Sequence, residues 1–226
     1  MRKFIALFLE ISITACVIAG VTLTAKLASG GFMGGATAIL YFTVQSNIWI
    51  GATALVAAVF TAINIARKKN GIPHALWIIK YVFTVSITLT GVVFCGVLAP
   101  TMPGAFASPA NILTHVVVPV LSIADFFVGE KDDIGYKEFL YSWIPPLYYL
   151  VFAGIGYALD WNFGMGNNYP YFFLNWDSPA GVFGFADGIY FMGTFYWIIA
   201  IVLFVSAIAL AYIALVRRTQ FKRNRR

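Results

Sequence analysis

The chain has 226 residues, 61% of them apolar and only 11% charged, with a formal net charge of +6. A soluble domain carries roughly 25% charged residues, so too little polar material is present to cover a globule of this size. Soluble enzymes, secreted disulfide scaffolds and nucleic-acid-binding domains are excluded as classes.

Stretches 27–66, 81–124, 139–159 and 188–216 contain no Asp, Glu, Lys or Arg. A helix needs about 20 apolar residues to cross the hydrocarbon of a bilayer, and the alternation that marks a membrane β-barrel is absent. The expected fold is an all-α integral membrane protein with six transmembrane helices. Apolar runs and their punctuation place these at 4–25, 38–65, 75–98, 111–128, 140–159 and 189–216. The first ends before Gly30-Gly31 and Gly34-Gly35, and the second at Arg67-Lys68-Lys69-Asn70-Gly71. The third ends at Pro100 and Pro103, Ser108-Pro109 opens the fourth, and a basic tail, 217–226, follows the sixth. The start, Arg2-Lys3 and an apolar run, resembles a signal peptide, and Ile13-Thr14-Ala15-Cys16 a lipoprotein cleavage site. Glu10 within the run, and its continuation past Cys16 to Thr24, favour a retained first helix. Cys16 and Cys95 both fall inside apolar spans, so no disulfide framework is implied.

Positive charge orients the bundle. With both termini cytoplasmic, the inner segments hold Arg2, Lys3, Arg67, Lys68, Lys69, Lys131, Lys137 and the six basic residues from Arg217 onward, leaving only Lys26 outside. The net charge is thus a topology signal and an attraction to anionic membrane lipid, not to nucleic acid. The long outer loop, 160–187, is rich in aromatic residues: Trp161, Phe163, Tyr169, Tyr171, Phe172, Phe173 and Trp176. It reads first as an interfacial aromatic belt, with a cap folded back over a cavity as the alternative.

Ionisable groups at membrane depth are costly and usually face the bundle interior. Glu10, Lys80 and Asp125 stand about 9, 8 and 5 Å from the inner ends of their helices at 1.5 Å per residue. They read either as one structural polar cluster, with a Lys80–Asp125 pair, or as side chains snorkelling to the inner interface. In the outer half, Thr43 and His115 reach comparable depth on helices running in the same direction. Asn47 follows Thr43 by one turn and Asn111 precedes His115 by one turn, so each pair shares a helix face. Gln45 and Ser46 add polar groups beside Thr43. A neutral imidazole is the base that a threonine hydroxyl needs to become nucleophilic, yet the same pair also serves as interhelical hydrogen-bond glue. Pro119, lacking an N–H, leaves the carbonyl of residue 115 without its helical partner and predicts a kink there. One histidine with no nearby Cys or acid makes no metal ligand set, and no cofactor is implied.

At Phe42-Thr43-Val44-Gln45-Ser46-Asn47, followed by Asn111-Ile112-Leu113-Thr114-His115 and Pro119, the sequence resembles the androgen-induced and androgen-regulated family of multi-pass transmembrane threonine hydrolases. Tyr169-Pro170-Tyr171-Phe172-Phe173-Leu174 further resembles the family's bacterial six-helix branch. The resemblance implies hydrolysis of fatty-acid esters of hydroxy fatty acids by a membrane-embedded Thr and His, here Thr43 and His115, in a bacterial inner membrane. Eukaryotic relatives tend to carry a second histidine after the asparagine, where this chain has Ile112. The expected function is therefore an intramembrane lipid ester hydrolase with membrane lipids and a lipid ester as partners. In this reading His115 is general base to Thr43, and Asn47, Asn111, Gln45 or Ser46 lie at the substrate or oxyanion. A small transporter or channel built on Glu10, Lys80 and Asp125 is the rival class, and a non-catalytic lipid-binding protein a third.

Overall fold

The computed structural model describes residues 1–26 and 33–224, with side chains through 219. Gly30-Gly31 and the tail's side chains beyond 219 lie outside the described residues. Among the described residues, six helices are long and apolar enough to cross a membrane: α1 (Arg2–Ala25), α2 (Phe42–Ala66), α3 (His74–Thr101), α4 (Pro109–Val128), α5 (Tyr136–Ala158) and α6 (Thr194–Asn224). No strand occurs among the described residues. In hydrocarbon a helix satisfies every backbone polar group within its own segment, and apolar runs of this length leave no other economical form.

Several boundaries differ from the sequence reading, each for a local reason. α2 starts at Phe42 rather than 38. Gly35–Leu40 winds as a 3-10 turn, and Tyr41 is extended (φ −93°, ψ 139°) because its hydroxyl is held by the Phe163 carbonyl at 2.6 Å. α3 runs past 98 to Thr101, and α4 starts at Pro109, two residues before 111. Proline suits a first helical turn, where its missing N–H costs nothing. α5 begins at Tyr136, not 140, its first eight residues wound as 3-10 helix before Ile144. α6 begins at Thr194 rather than 189, since the residues before it pair back onto the loop. Gly193 N–H donates to Gly184 O at 2.9 Å, and Thr194 N–H to Gly181 O at 3.2 Å. A Cβ on Gly193 would collide with the Val182 carbonyl, so glycine is required there. At its far end α6 continues through Asn224, so Arg217 and Arg218 extend the helix instead of opening a tail.

α1 to α4 pack as a four-helix core in which each helix touches the next and α4 closes back on α1, and α3, the most buried helix, also touches α5 and α6. Close approaches rest on small residues. A Cβ on Gly20 would meet Thr114 Cγ2 of α4 at 2.8 Å, and one on Gly51 would meet Val17 of α1 at 2.8 Å. The hydroxyls of α3 satisfy themselves one turn back: Thr84 on Lys80 O at 2.6 Å, Ser86 on Val82 O at 3.0 Å and Thr88 on Thr84 O at 2.7 Å. Phe4, Phe8, Ile18, Leu55, Val120, Leu147, Val151 and Leu203 point outward, an apolar surface suited to lipid rather than water.

α5 and α6 stand beside this core, touching one another chiefly through Tyr136–Trp143, where Trp143 Nε1 donates to Ser206 Oγ at 3.0 Å. Past Ile144 they separate. Residues of the 160–187 loop fold over that end, with Phe163, Tyr171, Phe173 and Leu174 all buried against the bundle. The loop is a cap, and the belt reading does not hold for these four side chains. Arg2, Lys3, Lys131 and Thr219 meet around one cleft, so the two termini share the end of the bundle that carries the basic loops.

Candidate active site

Thr43 is the second residue of α2, closer to the helix start than the expected span placed it. In that position it has no preceding turn to bond, and its hydroxyl is free to face α4. His115 lies in a π turn, Leu113–Val117, just ahead of Pro119. Pro119 cannot return a hydrogen bond to the His115 carbonyl, and the ladder widens there. Gly91 of α3 lets the two helices close on this spot: a Cβ would sit 3.0 Å from the His115 carbonyl oxygen and 3.1 Å from the Pro119 ring. α3 makes its own π turn over Phe94–Leu98, and Phe94 stacks on the His115 imidazole with centroids 3.8 Å apart at 20°.

Thr43 Oγ and His115 Nε2 are 3.2 Å apart. Both residues are buried, at 4% and 2% exposure. The other ring nitrogen fixes the tautomer. His115 Nδ1 faces the Asn111 carbonyl at 3.1 Å and Thr114 Oγ at 3.0 Å. Thr114 spends its own hydrogen on Ala110 O at 2.8 Å, so both neighbours of Nδ1 are acceptors. Nδ1 therefore carries the proton, Nε2 presents a lone pair, and the Thr43 hydroxyl donates to it. No carboxylate touches the ring among the described residues.

The amides expected at the oxyanion do something else. Asn47 Nδ2 donates to Thr43 O at 2.8 Å and to Thr114 O at 3.1 Å, tying together the two helices that carry Thr43 and His115. Ser46 Oγ lies 3.1 Å from Thr43 O and 2.8 Å from Thr90 Oγ. Gln45 Nε2 is turned to Ile39 O at 3.0 Å, and Asn111 Nδ2 to Ala105 O at 2.9 Å. Side-chain amides and hydroxyls near a helix start readily reach backbone carbonyls, and all four side chains make such a bond here. Asn111 instead supports the imidazole through its main-chain carbonyl.

A residue outside that set completes the site. Tyr171, from the cap, places its hydroxyl 3.5 Å from Thr43 Oγ and accepts the Thr43 N–H at 3.4 Å. Its proton has Thr43 Oγ and the Tyr149 hydroxyl as acceptors, Tyr149 giving its own to Leu40 O at 3.0 Å, and an oxygen arriving at Thr43 would compete for it. Thr43 also sits in the first turn of a 25-residue helix, whose N-terminal end carries partial positive charge. Nothing in sequence spacing joins Tyr171 to Thr43; the stretch 169–174 that contains it was the only pointer.

Thr43, Thr90, Tyr149 and Tyr171 are the hydroxyl-bearing part of an otherwise apolar slot lined mainly by Leu89, Pro146, Leu150, Phe173, Ile198 and Val202. No charged side chain lines the slot, whose cavity volume is about 80 Å³. It runs toward the gap between α5 and α6, where Leu147 is 43% exposed. His115 does not itself line the slot and meets it at Thr43 Oγ. No family model matches the chain, and no curated protein or solved structure matches it either.

At the other end of the bundle, Lys80 Nζ lies 2.7 Å from Asp125 Oδ2 and 3.5 Å from Glu10 Oε1. All three residues are 2% exposed. They form one interior cluster and do not snorkel.

Proposed function

We propose that the chain is a multi-pass intramembrane hydrolase of lipid esters, with fatty-acid esters of hydroxy fatty acids or similar lipids as substrates. The carrying observation is the Thr43 Oγ–His115 Nε2 contact at 3.2 Å, with the ring's tautomer set for base duty and Thr43 facing an apolar slot. In this reading the basic end is cytoplasmic, both termini lie inside, and the substrate enters sideways from the outer half of the bilayer between α5 and α6. The uncharged slot takes the acyl chain, so any free carboxylate on the substrate stays outside it.

Thr43 Oγ attacks the ester carbonyl as its proton passes to His115 Nε2. The carbonyl oxygen becomes an oxyanion beside the Tyr171 O–H and the N-terminal end of α2. When the tetrahedral centre collapses, the bond to the alcohol oxygen breaks and His115 returns the proton to the departing alkoxide. Water then gives a proton to His115 and attacks the acyl-threonine. The second tetrahedral centre expels Thr43 Oγ, which recovers that proton. The resemblance at Thr43 and His115 supports the same assignment. Purified protein in detergent should release fatty acid from a branched ester of a hydroxy fatty acid, and Thr43→Ala should release none. Equal release by wild type and Thr43→Ala would overturn the reading.

A further inference from the structure

We infer that Glu10, Lys80 and Asp125 form a buried one-proton site, in which Glu10 is a neutral carboxylic acid exchanging its proton with the aqueous phase at the basic end. The inference is independent of Thr43 and His115. Fully ionised, the trio would carry one net negative charge in a place where each residue is 2% exposed. Burying an unpaired charge is far costlier than binding a proton to it. Lys80 neutralises Asp125 first, by distance, at 2.7 Å against 3.5 Å for Glu10. That leaves Glu10 as the surplus carboxylate.

Two carboxylate oxygens show the missing partner. Glu10 Oε2 and Asp125 Oδ1 are both fully buried without a hydrogen-bond donor. A proton turns one such acceptor into an O–H. A metal ion needs several oxygen ligands and space, and the surroundings are closely filled: a Cβ on Gly129 would fall 2.8 Å from Lys80 Nζ and 3.3 Å from Asp125 Oδ1. The charged groups facing the site are Glu10 from α1, Lys80 from α3 and Asp125 from α4, while from α2 the buried Thr61 hydroxyl hydrogen-bonds the Glu10 carboxyl.

A route for exchange lies next to it. A cleft of about 690 Å³ at the basic end is lined by Ala6 and Val128 together with Arg2, Lys3, Glu130 and Lys131. Ala6 is one turn from Glu10 on α1, and Val128 one turn from Asp125 on α4. Water in the cleft therefore reaches within a turn of the cluster, and the charge state of the α1–α3–α4 junction follows the proton activity on that side.

Infrared spectroscopy of the full chain in lipid vesicles tests this. Wild type at neutral pH should show the carbonyl stretch of a protonated carboxyl that shifts in D₂O, and Glu10→Gln, an isostere of the neutral acid, should lack it while keeping the wild-type unfolding midpoint. Asp125→Asn removes the carboxylate that Lys80 neutralises, so Lys80 should pair with Glu10 and the band should be lost there too; in wild type, ¹³C-labelling of glutamate side chains should move the band. Absence of the band from wild type, its survival in Glu10→Gln or in Asp125→Asn, no shift in D₂O, or no shift on labelling glutamate would each overturn the inference. If Glu10→Gln does not fold, the neutral mimic is not tolerated, which also counts against it.

Discussion

Thr43 and His115 carry the proposed chemistry, and their substitutions should separate into distinct classes. Thr43→Ala should abolish turnover. His115→Ala should lower kcat by roughly 10²–10⁴, the usual contribution of a positioned base. Tyr171→Phe should cost about 10²–10³ in kcat with little change in KM, as expected for one oxyanion donor; a KM effect alone would make Tyr171 a wall of the slot only. Asn47→Leu, which unties Thr43 O from Thr114 O, should lower kcat while the purified protein remains folded. The pair itself was readable from depth along two helices and from the polar residues around it. Where the amides donate was not readable: Asn47 bonds the carbonyl one turn behind it and Gln45 and Asn111 carbonyls six residues back, whereas pattern alone suggests that each faces its neighbour's side chain. Tyr171 was unreadable as a partner, being 128 residues away and on a loop.

α2 shows how an element's start decides where a side chain faces. The apolar pattern runs unbroken through Tyr41, and no Ser, Thr, Asp or Asn cap marks the break; only the contact of Tyr41 with the cap sets it. The π turns of α3 and α4 have the same visible cause: Pro100 and Pro119 each stand two residues past the turn and leave the carbonyl four residues back, of Gly96 and His115, without its helical partner. Gly91→Ala should destabilise by about 1–3 kcal/mol, the cost of overpacking, because the His115 carbonyl and Pro119 ring have little room to yield. Thermal unfolding in detergent would measure it, and an unchanged midpoint would show that the helices can part there. Between elements, His74 Nδ1 lies 2.8 Å from Asp132 Oδ2 at the exposed start of α3. The backbone N–H of Asp133 and then His74 hold the Asp132 carboxyl below its usual range. A depressed acid stabilises above its ordinary titration and loses that contribution as pH falls through the lowered one. Asp132→Asn should thus flatten the acid side of the stability profile slightly, by under about 1 kcal/mol for so exposed a pair.

Taken as one molecule, the bundle divides its polar groups between two ends. Six apolar helices and the clustering of basic residues at one end were plain from composition, since length and charge alone decide them. The gap between α5 and α6 was not, because both helices are apolar on every face and hydropathy does not say where two of them part. Leu147→Trp or Ile198→Trp, placed in that gap, should slow hydrolysis of long-chain esters far more than of short-chain ones. Equal slowing of both would point to a different route of entry. The most direct check on Thr43 as nucleophile is mass spectrometry after treatment with a lipid-tailed fluorophosphonate. Attack by Oγ breaks the P–F bond and leaves a phosphonate on the residue. The account predicts that adduct on the Thr43 peptide of wild type and none in His115→Ala; labelling confined to any other residue, or of His115→Ala as fast as wild type, would contradict it.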